Sequence, residues 1–246
     1  MLTNAVVCTD ATHLLSTFGP GEVGAIITDP PFFISTKRDG GGEFSDPWSH
    51  ATNLDEALNE VRPVVAEATR VLRAGGALVV MGQGIATTVW DLLARSAGLD
   101  WMSELTVLWN TGKPRSRNFG SLHTRVNWYS KPGARHTFNS GEQRSIYSNV
   151  VVCKKVPLHL RRHPQEKPVG LTNFLVSLLT QESDLIMDPF CGSGSTLVSA
   201  EICGRSWIGS DLDPTYCDTA QKRCEQWELE EIEPVHLWIN GRLVEV

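Results

Sequence analysis

The segment Asp29-Pro30-Pro31-Phe32 contains the residue types needed to hold a planar amine. Its two prolines remove two backbone N–H donors and stiffen the chain, which leaves the Pro30 carbonyl beside the Asp29 carboxylate as a second acceptor. The aromatic ring of Phe32 follows directly and can stack on the same group. The segment therefore predicts a pocket that accepts both hydrogens of an exocyclic –NH2, although an Asp-Pro turn that merely ends a strand would contain the same residues.

A second segment, residues 188–196 (DPFCGSGST), is typical of a glycine turn between a buried strand and a helix. Glycines let the backbone approach a ligand closely, and the helix N-terminus offers free N–H groups. The segment lacks the Gly-Lys-Ser/Thr of a triphosphate-binding loop. Asp211 lies nineteen residues beyond Gly192, about the spacing at which an acid accepts hydrogen bonds from ribose hydroxyls. The turn alone also fits a connection without a ligand; with Asp211 it predicts a nucleoside-containing cofactor.

Strand and helix signals alternate along most of the chain, which predicts a doubly wound α/β sheet with ligands beyond the carboxyl ends of its strands. Pro63 predicts a kink or a break in its helix, and Asn240-Gly241 predicts a C-terminal hairpin. The predicted strands are residues 5–8, 23–28, 77–81, 105–109, 150–153, 184–188 and 206–210. The predicted helices are residues 11–17, 54–72, 85–97 and 214–227, with two more after 168 and from 195.

Residues 110–149 lose this periodicity, because Gly and Pro interrupt the pattern and basic residues alternate with aromatic ones. We interpret this stretch as an insertion rather than as part of the core. Its basic and aromatic side chains predict contacts with DNA from Lys113, Arg115, Arg117, Arg125, Trp128 and Arg135.

Charge is distributed unevenly along the chain. The net charge of −6 argues against a nucleic-acid ligand, but residues 111–170 contain twelve Lys and Arg against two acidic residues. The remainder contains ten basic and 26 acidic residues. Such segregation indicates one surface that faces a polyanion, although a solvated basic face would have the same composition.

Composition also limits the class of protein. Hydrophobic residues make up 41% and charged residues 20%, which excludes a disordered chain. No stretch approaches the roughly 18 apolar residues of a membrane span. The first residues lack the features of a signal peptide, so we expect a cytoplasmic protein. The six cysteines include no Cys-x-x-Cys pair, and neither a zinc site nor a dithiol motif is expected.

Three motifs resemble those of the S-adenosylmethionine-dependent DNA amino-methyltransferases. Residues 29–32 resemble the [D/N/S]-P-P-[Y/F/W] catalytic motif, and residues 188–196 resemble the cofactor turn D-P-F-x-G-S-G-T-T. Residues 163–168 (HPQEKP) are similar to the H-P-T-Q-K-P that precedes this turn. The order, with the catalytic motif first, is that of the β group of this family.

The resemblance covers residues 6–227 and implies a Rossmann-like methyltransferase sheet in a circular arrangement. It divides the chain into a catalytic half (1–109), a target-recognition insert (110–149), a cofactor-binding half (150–227) and a hairpin tail (228–246) that matches nothing in the family.

The family's functional residues transfer to matching positions. The resemblance implies that Asp188 faces the methionine ammonium of the cofactor, Asp211 its ribose and Asp10 its adenine, while Lys167-Pro168 meets its amino-acid end. The implied catalytic residues are Asp29, Pro30, Pro31 and Phe32. The implied cofactor-binding residues are Asp10, Lys167, Pro168, Asp188, Phe190, Gly192, Gly194, Ser195, Thr196 and Asp211.

The implied activity is methyl transfer from S-adenosylmethionine to a base flipped out of DNA, with no metal and no covalent intermediate. Asp in the first motif position favours N6 of adenine, and N4 of cytosine is the alternative. A protein glutamine amide offers the same –NH2, but the basic segment argues against it. A DNA-binding protein without turnover would show damaged motifs, and the motifs are intact. The sequence leaves open whether the chain pairs with a second copy of itself or acts beside a restriction nuclease.

Overall fold

A computed structural model describes residues 3–31, 54–110, 122–140 and 148–246. Within these ranges, ten strands form one sheet in the order β1-β8-β7-β2-β3-β5-β4-β6-β9-β10. The strands are β1 (Ala5–Cys8), β2 (Val23–Thr28), β3 (Leu72–Gly82), β4 (Asp100–Trp109), β5 (His123–Ser130), β6 (Val150–Cys153), β7 (Leu185–Asp188), β8 (Ser206–Asp211), β9 (His236–Ile239) and β10 (Arg242–Glu245). The helices are α1 (Ala11–Ser16), α2 (Leu54–Val71), α3 (Ile85–Ser96), α4 (Val169–Leu179), α5 (Ser195–Ile202) and α6 (Pro214–Glu225).

The connections between the strands create a ligand crevice between β2 and β7. These two strands are parallel neighbours, with Ile26 opposite Met187. From β2 the chain crosses to β3 on one side, and from β7 it crosses to β8 on the other. Neighbouring loops thus diverge at the carboxyl ends of β2 and β7, which is where doubly wound sheets bind ligands. The predicted α/β fold and the circular order, catalytic strand before cofactor strand, are confirmed.

Two layers of helices cover the sheet. Helices α1, α2 and α3 bury apolar side chains such as Leu14, Val64 and Trp90 against one face. Helices α4, α5 and α6 bury side chains such as Leu175 and Val198 against the other. Among the described helices, none is long and apolar enough to cross a lipid bilayer.

Helix α2 continues through Pro63, so the predicted break is wrong. A proline costs one backbone hydrogen bond. Val61, Val64 and Val65, on either side of it, are all buried against the core. This packing holds the helical conformation that the local sequence disfavours.

Strand β5 corrects the interpretation of residues 110–149 as an insertion outside the core. It lies between β3 and β4 and is antiparallel to both, with Trp128 opposite Val79 and Ser103. Val126 and Trp128 are buried on the face that α4 covers, and Tyr129 is buried on the opposite face. Polar and apolar residues alternate only over residues 125–128 (RVNW), a short strand pattern that the surrounding Gly and Pro obscure.

The C-terminal hairpin is confirmed and joins the same sheet. β9 and β10 pair antiparallel around residues 240–241, and β9 also pairs with β6. Leu237 is buried in the core, while all four residues of β10 are exposed. The tail therefore extends the sheet past β6 and leaves β10 as its edge strand.

Candidate active site

The predicted catalytic and cofactor segments meet in one open cavity at the carboxyl edge of the sheet. Segments that are far apart in the sequence contribute to it because β2 and β7 end side by side. Of the predicted site residues, the cavity is lined by Asp29, Lys167, Asp188, Phe190, Gly192, Ser195 and Thr196.

Asp29 follows β2 and lines this cavity, and one of its carboxylate oxygens has no partner among the described residues. Its side chain is 15% exposed, and its Oδ2 accepts a hydrogen bond from the Lys167 ammonium. Its Oδ1 is buried and has no hydrogen-bond partner among the described residues. A buried acceptor without a donor is costly, so this atom is well suited to a ligand that donates.

Asp188 ends β7 and is buried in the same cavity. Its Oδ1 accepts hydrogen bonds from the Thr28 hydroxyl at 2.7 Å and from the Phe190 backbone N–H at 3.2 Å. Burial is the largest effect on this carboxyl and raises its pKa to about 7, against these two hydrogen bonds, which lower it. A bound ammonium group would stabilise the ionised form.

Asp211 holds the glycine turn in place. Its Oδ2 accepts from the Gly192 N–H and its Oδ1 from the Asp213 N–H, both at 3.0 Å. Each carboxylate oxygen has a second lone pair, so the side chain can still accept from a ligand hydroxyl. On the other side of the turn, the Ser195 hydroxyl donates to the Lys167 carbonyl at 2.8 Å. The turn is thus fixed before any ligand binds.

The two glycines of the turn have different roles. Gly192 lines the cavity, and a Cβ there would lie 3.5 Å from the His163 ring, an ordinary contact. Gly194 is absent from the described lining; with φ +85, a Cβ there would lie 2.8 Å from the Ala220 Cβ. Packing against α6 therefore requires Gly194, and its role as a cofactor contact stays a prediction.

Asp10 lies at the same edge of the sheet as Asp211. Cys8 pairs with Asp211 across β1 and β8, and the Thr9 N–H donates to the Asp211 carbonyl at 3.0 Å. The Asp10 Oδ1 accepts from the His13 N–H at 2.9 Å and caps α1. Its approach to a ligand stays a prediction.

Two residues that were not predicted as site residues also shape the cavity. His163 lines it and contacts the Tyr216 ring edge-on at 4.5 Å; burial lowers its pKa, so its imidazole is neutral near pH 7. Arg223 is buried and donates to the Ser193 carbonyl at 2.7 Å and to Glu230 at 2.8 Å. The HPQEKP motif already contained a signal for His163. The sequence contains no comparable signal for Arg223, because the residues that it contacts lie on other segments of the chain.

The structure describes three of the predicted DNA contacts and contradicts the one at Trp128. Trp128 is 6% exposed and packs in the core, where the exposed Phe138 ring stacks on it. The Arg125 guanidinium forms a 2.5 Å ion pair with Glu104. The Arg135 backbone lies close to Gly75, because a Cβ added at Gly75 would contact the Arg135 carbonyl oxygen. Gly75 is near the start of β3, so this part of Arg135 lies at the edge of the sheet opposite Asp29. The position of β5 inside the sheet explains why Trp128 is buried.

The remaining predicted site residues have mixed outcomes. Pro30 and Pro168 are buried, and Pro31 is partly buried. Phe32, Lys113, Arg115 and Arg117 lie outside the described residues, so their roles stay predictions.

Comparison with known proteins identifies a family. A family model described as DNA methylase matches residues 23–222. The chain is 27% identical to the type II methyltransferase M.HinfI of Haemophilus influenzae, over 94% of this chain and 69% of that protein. It is 23% identical to the DNA adenine methyltransferase YhdJ of Escherichia coli, over 95% of this chain and 88% of that protein.

Two solved structures share the fold. The M1.HpyAVI–SAM complex has a TM-score of 0.69 at 21% identity and covers 89% of this chain and 98% of its own. The cytosine-N4-specific PvuII DNA methyltransferase has a TM-score of 0.71 at 19% identity and covers 90% of each chain. The predicted Rossmann-like methyltransferase sheet is therefore confirmed.

Proposed function

The chain belongs to the DNA methylase family, as an S-adenosylmethionine-dependent DNA methyltransferase, and we propose that it methylates N6 of adenine in a base flipped out of the duplex. One observation carries the proposal. The Asp29 Oδ1 is a buried acceptor without a donor among the described residues, and Asp29 lines the same cavity as Asp188 and the glycine turn. An exocyclic –NH2 supplies the missing donor.

The described residues fit the cofactor. Asp188 is a buried carboxylate without a cationic partner among them, and it would pair with the methionine ammonium. Gly192 would allow close approach to the turn, Asp211 would accept from the ribose, and Asp10 would approach the adenine. When bound, the cofactor supplies an electrophilic methyl group on sulfur.

The proposed reaction requires the protein to activate a poor nucleophile. The lone pair of the N6 amine is delocalised into the adenine ring. We expect Asp29 Oδ1 and the Pro30 carbonyl to accept its two N–H hydrogens, which favours a pyramidal nitrogen aligned with the methyl group. The N–C bond forms as the S–C bond breaks, and the nitrogen then releases one proton to water. Since this geometry cannot be reached inside a duplex, the base must leave the helix stack.

Cytosine N4 is the second candidate. It presents the same –NH2, and the PvuII enzyme, which has this fold, is cytosine-N4-specific. Adenine is favoured because YhdJ, named as an adenine methyltransferase, matches nearly the whole chain and because Asp stands first in the catalytic motif.

Expression in a host without DNA methylation tests the proposal. Genomic DNA is digested to nucleosides and analysed by mass spectrometry, with the Asp29→Ala variant as the matched control. We expect N6-methyladenine from the wild type and none from the variant. N4-methylcytosine alone would identify the second candidate. If neither base were found, with protein that is folded and binds S-adenosylmethionine, the proposal would be wrong.

A further inference from the structure

A second open cavity lies directly beside the cofactor cavity. The two share residues 165–167 as a common wall. The far wall of the second cavity contains Lys155, Arg161 and Trp109. The activity described above assigns no ligand to this cavity.

Two cations of this cavity, Lys155 and Arg161, lack a counterion among the described residues. The Lys155 ammonium lies over the Trp109 ring, 5.5 Å from its centre, and the Arg161 guanidinium donates only to the Val156 and Pro164 carbonyls at 2.8 and 3.1 Å. The nearby carboxylate of Glu166 is already paired with arginines outside this wall.

The electrostatics of Lys155 agree with this geometry. Its pKa is lowered, first by burial and then by the positive charges of Arg161 and Lys167. The third cation, Lys167, is paired with Asp29, which leaves the other two uncompensated. A site with this charge and partial burial favours an anion.

We propose that this cavity binds a backbone phosphate of the DNA strand that carries the target base, with Lys155 and Arg161 as its ligands. The inference rests on the proposed function and adds a defined contact to it. Lys167 lines both cavities and reaches Asp29, so a phosphate held here lies next to the acceptor of the flipped base. A phosphate close to the flipped nucleotide would hold its backbone in the extruded conformation.

The chain offers a matched control in the adjacent lysine. Lys154 is 61% exposed, pairs with Glu233 at 3.0 Å and is not part of the described cavity wall. Lys155→Met keeps the aliphatic stem over Trp109 and removes the charge, and Lys154→Met removes one charge from the neighbouring position. Lys155→Arg restores the charge.

The experiment measures the affinity for duplex DNA over a salt series. We expect Lys155→Met to weaken binding about tenfold and to flatten the plot of log affinity against log salt by about 0.9, the contribution of one phosphate. Lys154→Met should have a smaller effect on both, and Lys155→Arg should restore them. Melting temperature and S-adenosylmethionine affinity should stay at the wild-type values in all three.

The results distinguish failure of the phosphate site from failure of the proposed function. If the wild type methylates DNA and Lys155→Met has the wild-type salt slope, the phosphate site is wrong and the proposed function stands. If Lys155→Met lowers turnover with an unchanged slope, the cavity holds the base rather than a phosphate, which also overturns the inference. If the wild type neither binds nor methylates DNA, both proposals fail.

Substitution of single phosphates, combined with the Lys155→Met variant, identifies the phosphate that Lys155 contacts. Once the methylated base is mapped, a neutral methylphosphonate replaces each phosphate that flanks it in turn. At one position we expect the wild type to lose the same factor as Lys155→Met, and the variant to lose nothing further. Additive losses at every flanking position would contradict a direct contact.

Discussion

The ammonium of Lys167 and the carboxylate of Asp29 form an ion pair that joins two segments 138 residues apart in the chain. The two side chains are only 10% and 15% exposed. The pair occupies Asp29 Oδ2 and leaves Oδ1 buried without a hydrogen-bond partner among the described residues. The resemblance implies that Lys167 meets the amino-acid end of the cofactor, which stays a prediction, and the structure places its ammonium on the Asp29 carboxylate.

Substitution of Asp29 should abolish turnover and spare the cofactor site. Asp29→Ala removes one of two acceptors for the amine, a type of loss that costs about 10² to 10³ in kcat when one preorganised partner is deleted. Calorimetry should show S-adenosylmethionine affinity near the wild-type value, because the glycine turn is held by Asp211. Turnover within a few-fold of the wild type would contradict the role of Asp29.

Lys167 should act on turnover through Asp29. Lys167→Met leaves Asp29 without its cation and free to rotate, and such misplacement costs about 10²-fold in rate. We expect kcat to fall while KM for DNA changes little, and Lys167→Arg to recover most of the loss. An equal loss in both variants, or a change in KM alone, would place Lys167 elsewhere in the mechanism.

Asp188 should make folding stability depend on pH. Burial raises its pKa to about 7 from the ordinary value of 3.8, so between these values the folded chain holds a proton that the unfolded chain has released. Its contribution to stability is therefore present at low pH and is lost as pH rises through this range. Asp188→Asn should raise the melting temperature of the ligand-free protein more at about pH 8 than at about pH 4.

The same carboxyl should make cofactor binding depend on pH. Pairing with the methionine ammonium requires ionised Asp188, so wild-type affinity for S-adenosylmethionine should weaken as pH falls below about 7. Asp188→Asn should bind weakly with much less dependence on pH. Calorimetry across this range measures both, and a parallel pH dependence in the two proteins would exclude Asp188 as the cause.

Gly192→Ala and Gly194→Ala should differ in their effects on melting temperature and on S-adenosylmethionine affinity. A left-handed conformation costs a residue with a side chain about 1–2 kcal/mol at either position. Only Gly194→Ala adds a 2.8 Å approach to the Ala220 Cβ, so it should lower the melting temperature further. Gly192→Ala should fold and lose S-adenosylmethionine affinity, because its Cβ lies in the cavity lining. Equal melting temperatures would contradict the packing role of Gly194.

Trp128 should contribute to stability rather than to DNA affinity. Truncation of a buried tryptophan costs about 3–5 kcal/mol of unfolding free energy. Trp128→Phe is a milder change that should keep the fold, lower the denaturation midpoint and leave the salt dependence of DNA binding unchanged. A flatter salt slope in folded Trp128→Phe protein would restore this residue to the DNA surface.

Local sequence determined the elements and the positions of the motifs. Strands β1, β2 and β6 have the predicted bounds, and the helices begin within a residue of the predicted starts, because proline, glycine and apolar runs act over a few neighbouring residues. The same locality placed Asp29 after one strand and Asp188 at the end of another, which was enough to predict a cavity between them and the class of its ligands.

Only the tertiary structure decided which of these residues touch. β5 lies in the middle of the sheet although its surroundings in the sequence resemble an insert, since strand pairing depends on partners far along the chain. The tertiary structure also decided that Trp128 is buried in the core and that Gly194 packs against Ala220. It likewise decided that Lys167 pairs with Asp29. Local residue types specify which contacts a side chain can make, and packing across the sheet selects the contact that forms.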